Sequence, residues 1–262
     1  MRTHARRKSP RGLARILALA LAVALSYRIP GCDGWSPGVP GTPDPPSAAS
    51  KQKPKERKRV TLSSREYAEA MSAIDRSSGS GTPVEGLYEA VRLIDKNARH
   101  VYPDEASKED LWTRAYGSWK LVLATGGGRQ TTFKPVPVFA FAMLDETTFG
   151  NGVGLNEHRV LLSLRGRHEL LTRRRQMVIG IDDVFLGSKR VTGSLPGFAG
   201  RALGLGKRRT DYEAEKRRPP AFVFLAASET SLVARGGSGG IAIWTRLEED
   251  IRPAAYGDDA PP

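Results

Sequence analysis

A single cysteine, Cys32, stands in 262 residues, which excludes an intrachain disulfide and a thiolate cage for a metal. Long hydrophobic runs are missing as well. The longest, "ILALALAVAL" from Ile16 to Leu25, is ten residues, where a helix needs about 20 to cross a bilayer. Histidines are few: His4 falls near the N-terminus, His100 between helical segments, and His158 and His168 flank one strand without the repeated spacing of a metal site. Acids are scarce in the first 60 residues, where Asp33, Asp44 and Glu56 face 13 Lys+Arg; this segment therefore carries +10 of the formal +13 and leaves +3 to the remainder. A body so close to neutral lacks the cationic excess that phosphate backbones require, so nucleic acid is not the expected partner.

The basic start and the ten-residue apolar core have the proportions of a signal peptide, with Ala22-Val23-Ala24 or Ala24-Leu25-Ser26 as a small-residue cleavage site. Residues 1–26 are read as this signal-like segment. Residues 27–61, rich in Pro, Gly and Ser and ending in "KQKPKERKRV", are read as a disordered basic linker. The pair resembles the bipartite leader of proteins imported into complex plastids, with an ordinary secreted protein as the alternative. Residues 251–262 are read as a disordered tail.

Residues 62–115 form a helical segment by pattern. "SSREYAEAMSAIDR" (63–76) has Ser63 or Ser64 as N-cap and Tyr67, Ala70, Met71 and Ile74 on one stripe, ending at a Gly/Ser break over 77–82. "PVEGLYEAVRLIDKNAR" (83–99) repeats Leu87, Val91 and Ile94 at helical spacing and is expected as a lid or flank. A third helix over 107–115, capped by Ser107, aims Leu111 and Trp112 inward. From Gly117 the period changes to two. Strands are predicted over 117–124, 136–143, 149–154, 158–164, 176–181, 189–194, 221–226, 230–234 and 240–246, with 207–220 an exposed loop or weak strand. Short strands at this spacing without long helices between them make 116–250 an antiparallel barrel or sandwich.

"GSWKLVLATGGG" (117–128) could end in a phosphate loop, but Pro135 and Pro137 exclude the helix such a loop must open, and no Gly-Lys-Ser/Thr follows. Its glycines are a strand connection, and "RGGSGGIAIW" (235–244) is a hairpin feeding the last strand. Asp182 and Asp183 are adjacent, so on a strand they face opposite ways and cannot form a facing acid/base pair. No serine lies in a Gly-x-Ser-x-Gly elbow. Neither a catalytic constellation, a metal site nor a cofactor motif is expected. Alternation groups Trp119, Leu121 and Leu123 on one face, Phe139, Phe141 and Met143 on another, and Phe222 and Phe224 on a third. Leu121, Leu123, Phe139, Phe141, Met143, Phe222 and Phe224 are the candidates to line an interior cavity; Ala140, Ala142, Ala226 and Ala242 leave room for one, and a filled core is the alternative.

"LWTRAYGSWKLVLAT" (111–125), preceded by "LIDKNAR" and followed by "SLVARGGSGGIAIW" (231–244), resembles the plastid lipid-associated protein/fibrillin domain over roughly residues 85–247. The resemblance implies a lipocalin-like barrel opened by Gly-x-Trp-x-Leu and closed by an Arg-Gly strand, with Gly117, Trp119, Leu121, Arg235, Gly236 and Gly240 matching the pattern. It implies a non-enzymatic binder of lipid or isoprenoid-type small molecules at a plastid membrane or plastoglobule surface. A coat protein of lipid bodies with a filled barrel, or an enzyme on the same barrel, are the alternatives. The family's acidic and arginine positions before the closing Arg-Gly are replaced by "AASETSLVA", which leaves the chemistry of the ligand mouth open. In such a barrel Trp119 is expected at the closed base, its ring covered by Arg246, with Arg235 as the other available cation.

Overall fold

The computed structural model describes residues 62–126 and 130–248. The expectations for the leader, for Gly127 and Gly128, and for the C-terminal tail lie outside those residues. Eleven strands follow in chain order: β1 (Gly117–Ala124), β2 (Lys134–Pro135), β3 (Phe139–Leu144), β4 (Thr148–Gly154), β5 (Val160–Leu171), β6 (Gln176–Ile179), β7 (Asp183–Leu186), β8 (Lys189–Arg190), β9 (Ala221–Ala227), β10 (Ser231–Gly236) and β11 (Ile241–Arg246). Eight of them close an antiparallel barrel in the order β1, β3, β4, β5, β6, β9, β10, β11, with β11 returning to β1 so that Trp119 lies opposite Arg246. Closure removes the exposed edges that an open sheet of this size would leave.

The helices are α1 (Ser64–Ser80), α2 (Leu87–Lys96), α3 (Ala98–Val101), α4 (Glu105–Ala115), α5 (Gly197–Leu203) and α6 (Arg209–Ala214). A capping box starts α1: the Ser63 hydroxyl accepts from the Glu66 amide while the Glu66 carboxylate accepts from the Ser63 amide. The helix runs through the predicted Gly/Ser break and stops only at Gly81, in the left-handed region at φ 65°. The reason is close packing: Ser77 and Ser78 are buried, and Ser78 Oγ donates to the carbonyl of Trp244 at 3.1 Å. Small side chains let the helix lie directly on β11. α2 begins at Leu87, four residues later than the proline suggested, after Gly86 in a left-handed conformation at φ 72°. α4 is capped by Asp104 rather than Ser107, whose amide donates to Asp104 Oδ1 at 2.8 Å.

α1 and α2 flank the barrel. Ala70, Ile74, Leu87, Val91 and Ile94 bury themselves against Leu123, Leu225, Ala226, Val233, Ile241 and Ile243 on the outer faces of β1, β9, β10 and β11. Fully burying such side chains is worth about 1.5–3 kcal/mol each. This layer explains why those strands carry apolar residues on both faces. α4 instead plugs one end of the barrel, where Leu111, Trp112 and Ala115 join Trp119 and Tyr102 in the interior cluster.

The chain departs from the sequence pattern after β5. That strand continues seven residues past the predicted end at Leu164 and changes partner along its length, pairing β7 through Leu162–Arg165 and β6 through His168–Leu171. Gly166 sits at the change, where a Cβ would overlap the carbonyl of Gly180. The strand predicted over 189–194 shrinks to the two residues of β8, and the unpredicted β7 precedes it. The acidic pair hid β7: Asp182 pairs with Arg208 at 2.9 Å and Asp183 with Arg190 at 2.6 Å, so both carboxylates are neutralised by distant cations. Residues 207–220 contain helix α6 rather than a weak strand. The Arg208 amide donates to Asp211 Oδ2 at 2.7 Å, Arg209 pairs with Glu213 one turn on, and Tyr212 is buried.

Candidate functional site

The closed base is built from Gly117, Trp119 and Arg246. Trp119 is fully buried, and its Nε1 donates to the carbonyl of Ala115 at the end of α4 at 2.8 Å. The Arg246 guanidinium lies over the indole, 4.2 Å from its centroid. Its three nitrogens fan out to three backbone carbonyls: Nη1 to Tyr116 at 2.9 Å, Nη2 to Arg114 at 2.6 Å and Nε to Glu229 at 2.6 Å. One side chain thus ties the first strand, the plugging helix and the β9–β10 turn together. Burial pulls the pKa of Arg246 below its ordinary value while Glu229 opposes the shift; a guanidinium remains charged at any physiological pH.

Arg235 is not at this base. It pairs with Asp95 of α2 at 2.5 Å and clips that helix to β10. Gly236 and Gly240 close the β10–β11 hairpin, the Gly236 amide donating to the Gly240 carbonyl at 2.9 Å. The segment "AASETSLVA" turns at the base end and then enters the slot wall at Leu232 and Ala234. Its Ser228, Thr230 and Ser231 hydroxyls donate to one oxygen of Asp75 on α1, at 2.7, 3.3 and 2.5 Å. These hydroxyls dock α1 onto the β9–β10 turn.

Inside the barrel lies a cavity of about 660 Å³ counted out to its opening. That figure includes open solvent and the enclosed part is far smaller, so the cavity is a narrow slot. Its walls come from β1 (Leu121), β3 (Ala140, Ala142, Leu144), β4 (Phe149, Asn151, Val153), β5 (Leu162, Leu164), β6 (Met177), β9 (Phe222, Phe224), β10 (Leu232, Ala234) and β11 (Trp244). None of these side chains titrates. The end of the barrel opposite α4, where β3 and β5 begin, carries the exposed Val138 and Leu155.

Of the sequence candidates, Leu121, Phe141, Phe222 and Phe224 are among the residues lining this cavity. Leu123 faces outward under α1 and α2, because a β-bulge between Leu121 and Leu123 inserts a residue and reverses the alternation. Phe139 and Met143 also point outward, and Phe141, which reaches the wall, packs with its ring tilted 34° against Phe139 at 6.0 Å. Period two grouped these three correctly but did not say which face was inside. Register decides it: Ala142 lies opposite the buried Trp119, and Phe141 opposite the exposed Lys120. The small face of β3 therefore lines the slot and creates the space. Ala226 likewise turns out to the helices after a bulge between β9 and β10.

The remaining titratable candidates are held elsewhere. His168 Nε2 meets the carbonyl of Asp145 at 2.8 Å, and His100 and His158 are exposed. Tyr102 is buried with its hydroxyl on the Leu225 carbonyl at 3.2 Å, and burial drives its phenol far above the ordinary tyrosine range. Among the described residues no three His, Cys, Asp or Glu side chains gather as a metal site would require.

No protein-family model and no curated protein matches the chain. Solved structures similar to it include a lipocalin-like protein from Bacteroides uniformis, 16% identical, covering 51% of this chain and 99% of that one at a TM-score of 0.31. An uncharacterized protein from Bacteroides eggerthii is 8% identical, covering 50% of this chain and 98% of that one at a TM-score of 0.32. The barrel itself is established by its own strand pairing, closed from β1 through β11.

Proposed function

We propose that this chain is a non-catalytic carrier whose barrel holds one slender hydrophobic molecule, of lipid or isoprenoid type. The observation that carries the proposal is a narrow slot inside the barrel whose wall is apolar apart from the Asn151 amide and the Trp244 indole N–H and holds no titratable side chain. A concave, mostly apolar wall with few polar groups is typical of small-molecule sites. An enzyme on the same barrel would need converging acid, base or nucleophile groups inside it. A coat protein would need a filled barrel and a broad apolar surface, whereas the exposed large apolar residues among the described residues are Val138, Leu155 and Phe198.

Filling the slot tests the proposal. Ala142→Phe and Ala234→Phe each place a ring in the cavity from opposite walls, with an overpacking cost of at most about 1–3 kcal/mol. Binding of a polyene fatty acid that fluoresces when shielded from water should weaken by about tenfold in each variant, about 1.4 kcal/mol, while thermal melting stays cooperative. Unchanged binding in the double variant would place the ligand outside the barrel.

The kinship with plastid lipid-associated proteins and fibrillins belongs to the same proposal, supported by the Gly117, Trp119 and Arg246 arrangement. It carries a compartment and a surface with it: a plastid, and there a membrane or plastoglobule. A fluorescent fusion of the full chain should accumulate at lipid-rich structures inside a plastid of complex origin, and residues 1–60 alone should carry the fluorophore into that plastid. Secretion of both fusions would sink the plastid assignment and leave the carrier intact.

A further inference from the structure

Apart from the indole N–H of Trp244, Asn151 is the one hydrogen-bonding side chain among the residues lining the slot. It stands on β4 between the cavity residues Phe149 and Val153, opposite Ala142 on β3 and Leu164 on β5, both of which line the cavity. Register therefore fixes its direction inward, at the middle of the strand. No hydrogen bond to its amide is present among the described residues. The flanking Gly150 and Gly152 take the outward positions, and Phe141 fills the outer side of Gly152, so Asn151 has no room to turn out without breaking the pairing.

Asn151 is half-buried, so its amide, with no partner in the protein, is left for whatever occupies the slot to satisfy. We propose that Asn151 selects the ligand: the slot takes a hydrocarbon body bearing one uncharged oxygen function, a carbonyl or a hydroxyl, near its middle. This rests on the carrier proposal. The amide offers both a donor NH₂ and an acceptor oxygen, so it serves either group. An ionised group is disfavoured at that depth, because no cation lines the cavity to pair with it. A pure hydrocarbon leaves the amide unsatisfied.

Displacement of the bound polyene by n-undecane, its mid-chain ketone and its mid-chain alcohol tests this in the full chain and in Asn151→Leu. The affinity ratio of ketone or alcohol to alkane should fall by about tenfold on going to Asn151→Leu, and the alkane alone should bind the variant more tightly. Asn151→Leu should also melt no lower than the parent, since leucine suits the wall. If all three compounds displace the polyene and the ratio is the same in both proteins, the role of Asn151 is overturned and the carrier stands. If none displaces it and the Ala142→Phe variant binds the polyene as the parent does, the slot is not the binding site and both proposals fall.

Discussion

Trp119→Ala should cost about 3–5 kcal/mol of stability, the range for truncating a large buried aromatic. The side chain is fully buried, and its loss removes the bond to Ala115 and the platform beneath Arg246 in one step. Denaturant unfolding measures it. The cation–π contact accounts for about 0.5–2 kcal/mol of the total, so a double-mutant cycle with Arg246→Ala should show coupling of at least about 0.5 kcal/mol. Ligand affinity in the fraction that stays folded should hardly change, because Trp119 lies below the slot and is not among its lining residues. A variant that is stable yet no longer binds would mean the slot reaches the base and that the two ends of the barrel have been exchanged.

What the sequence makes legible depends on how many physical constraints bear on each residue. The bounds of the opening strand and the facing of its first half are readable, since Gly117 starts it, Trp119 and Leu121 alternate with Lys120, and the lysine marks the wet face. The partner of Trp119 is readable as well, because Arg246 is the cation at the end of the last strand. The cavity wall is harder. In β3 both faces are apolar, so alternation divides Phe139, Phe141 and Met143 from Ala140, Ala142 and Leu144 without orienting either set; only pairing with β1 does that. Leu123 is lost to a bulge, a backbone event with no side-chain signature here. Asn151 lies in the strand predicted over 149–154, where "FGNGVG" alternates it with Phe149 and Val153, but the period alone does not say that this face is the inner one. The insert between β7 and β9 escaped because its order comes from long-range contacts. Leu195, Leu203 and Leu205 pack against Leu162, Leu164 and Val184 from the side of the barrel where β5 changes partner.

Gly117→Ala should be as damaging as many core truncations although it adds only a methyl group. Two costs combine. Gly117 has φ +126°, a backbone conformation that an L-residue holds only at about 1–3 kcal/mol. A Cβ there would also overlap Arg246 Nη1, forcing the guanidinium off the Tyr116 carbonyl and away from the indole. With the lost hydrogen bond and ring contact each worth about 1 kcal/mol, the total should reach roughly 3–5 kcal/mol. Removing the obstruction separates the parts. In an Arg246→Ala background the overlap is gone and the backbone strain remains, so Gly117→Ala should there cost only about 1–3 kcal/mol. Equal cost in both backgrounds would show that backbone conformation alone reserves the position for glycine, and that the guanidinium can move aside freely. A neutral Gly117→Ala would go further, since it would mean that the chain does not enter the barrel with this φ and that Arg246 does not cross the first residue of the opening strand.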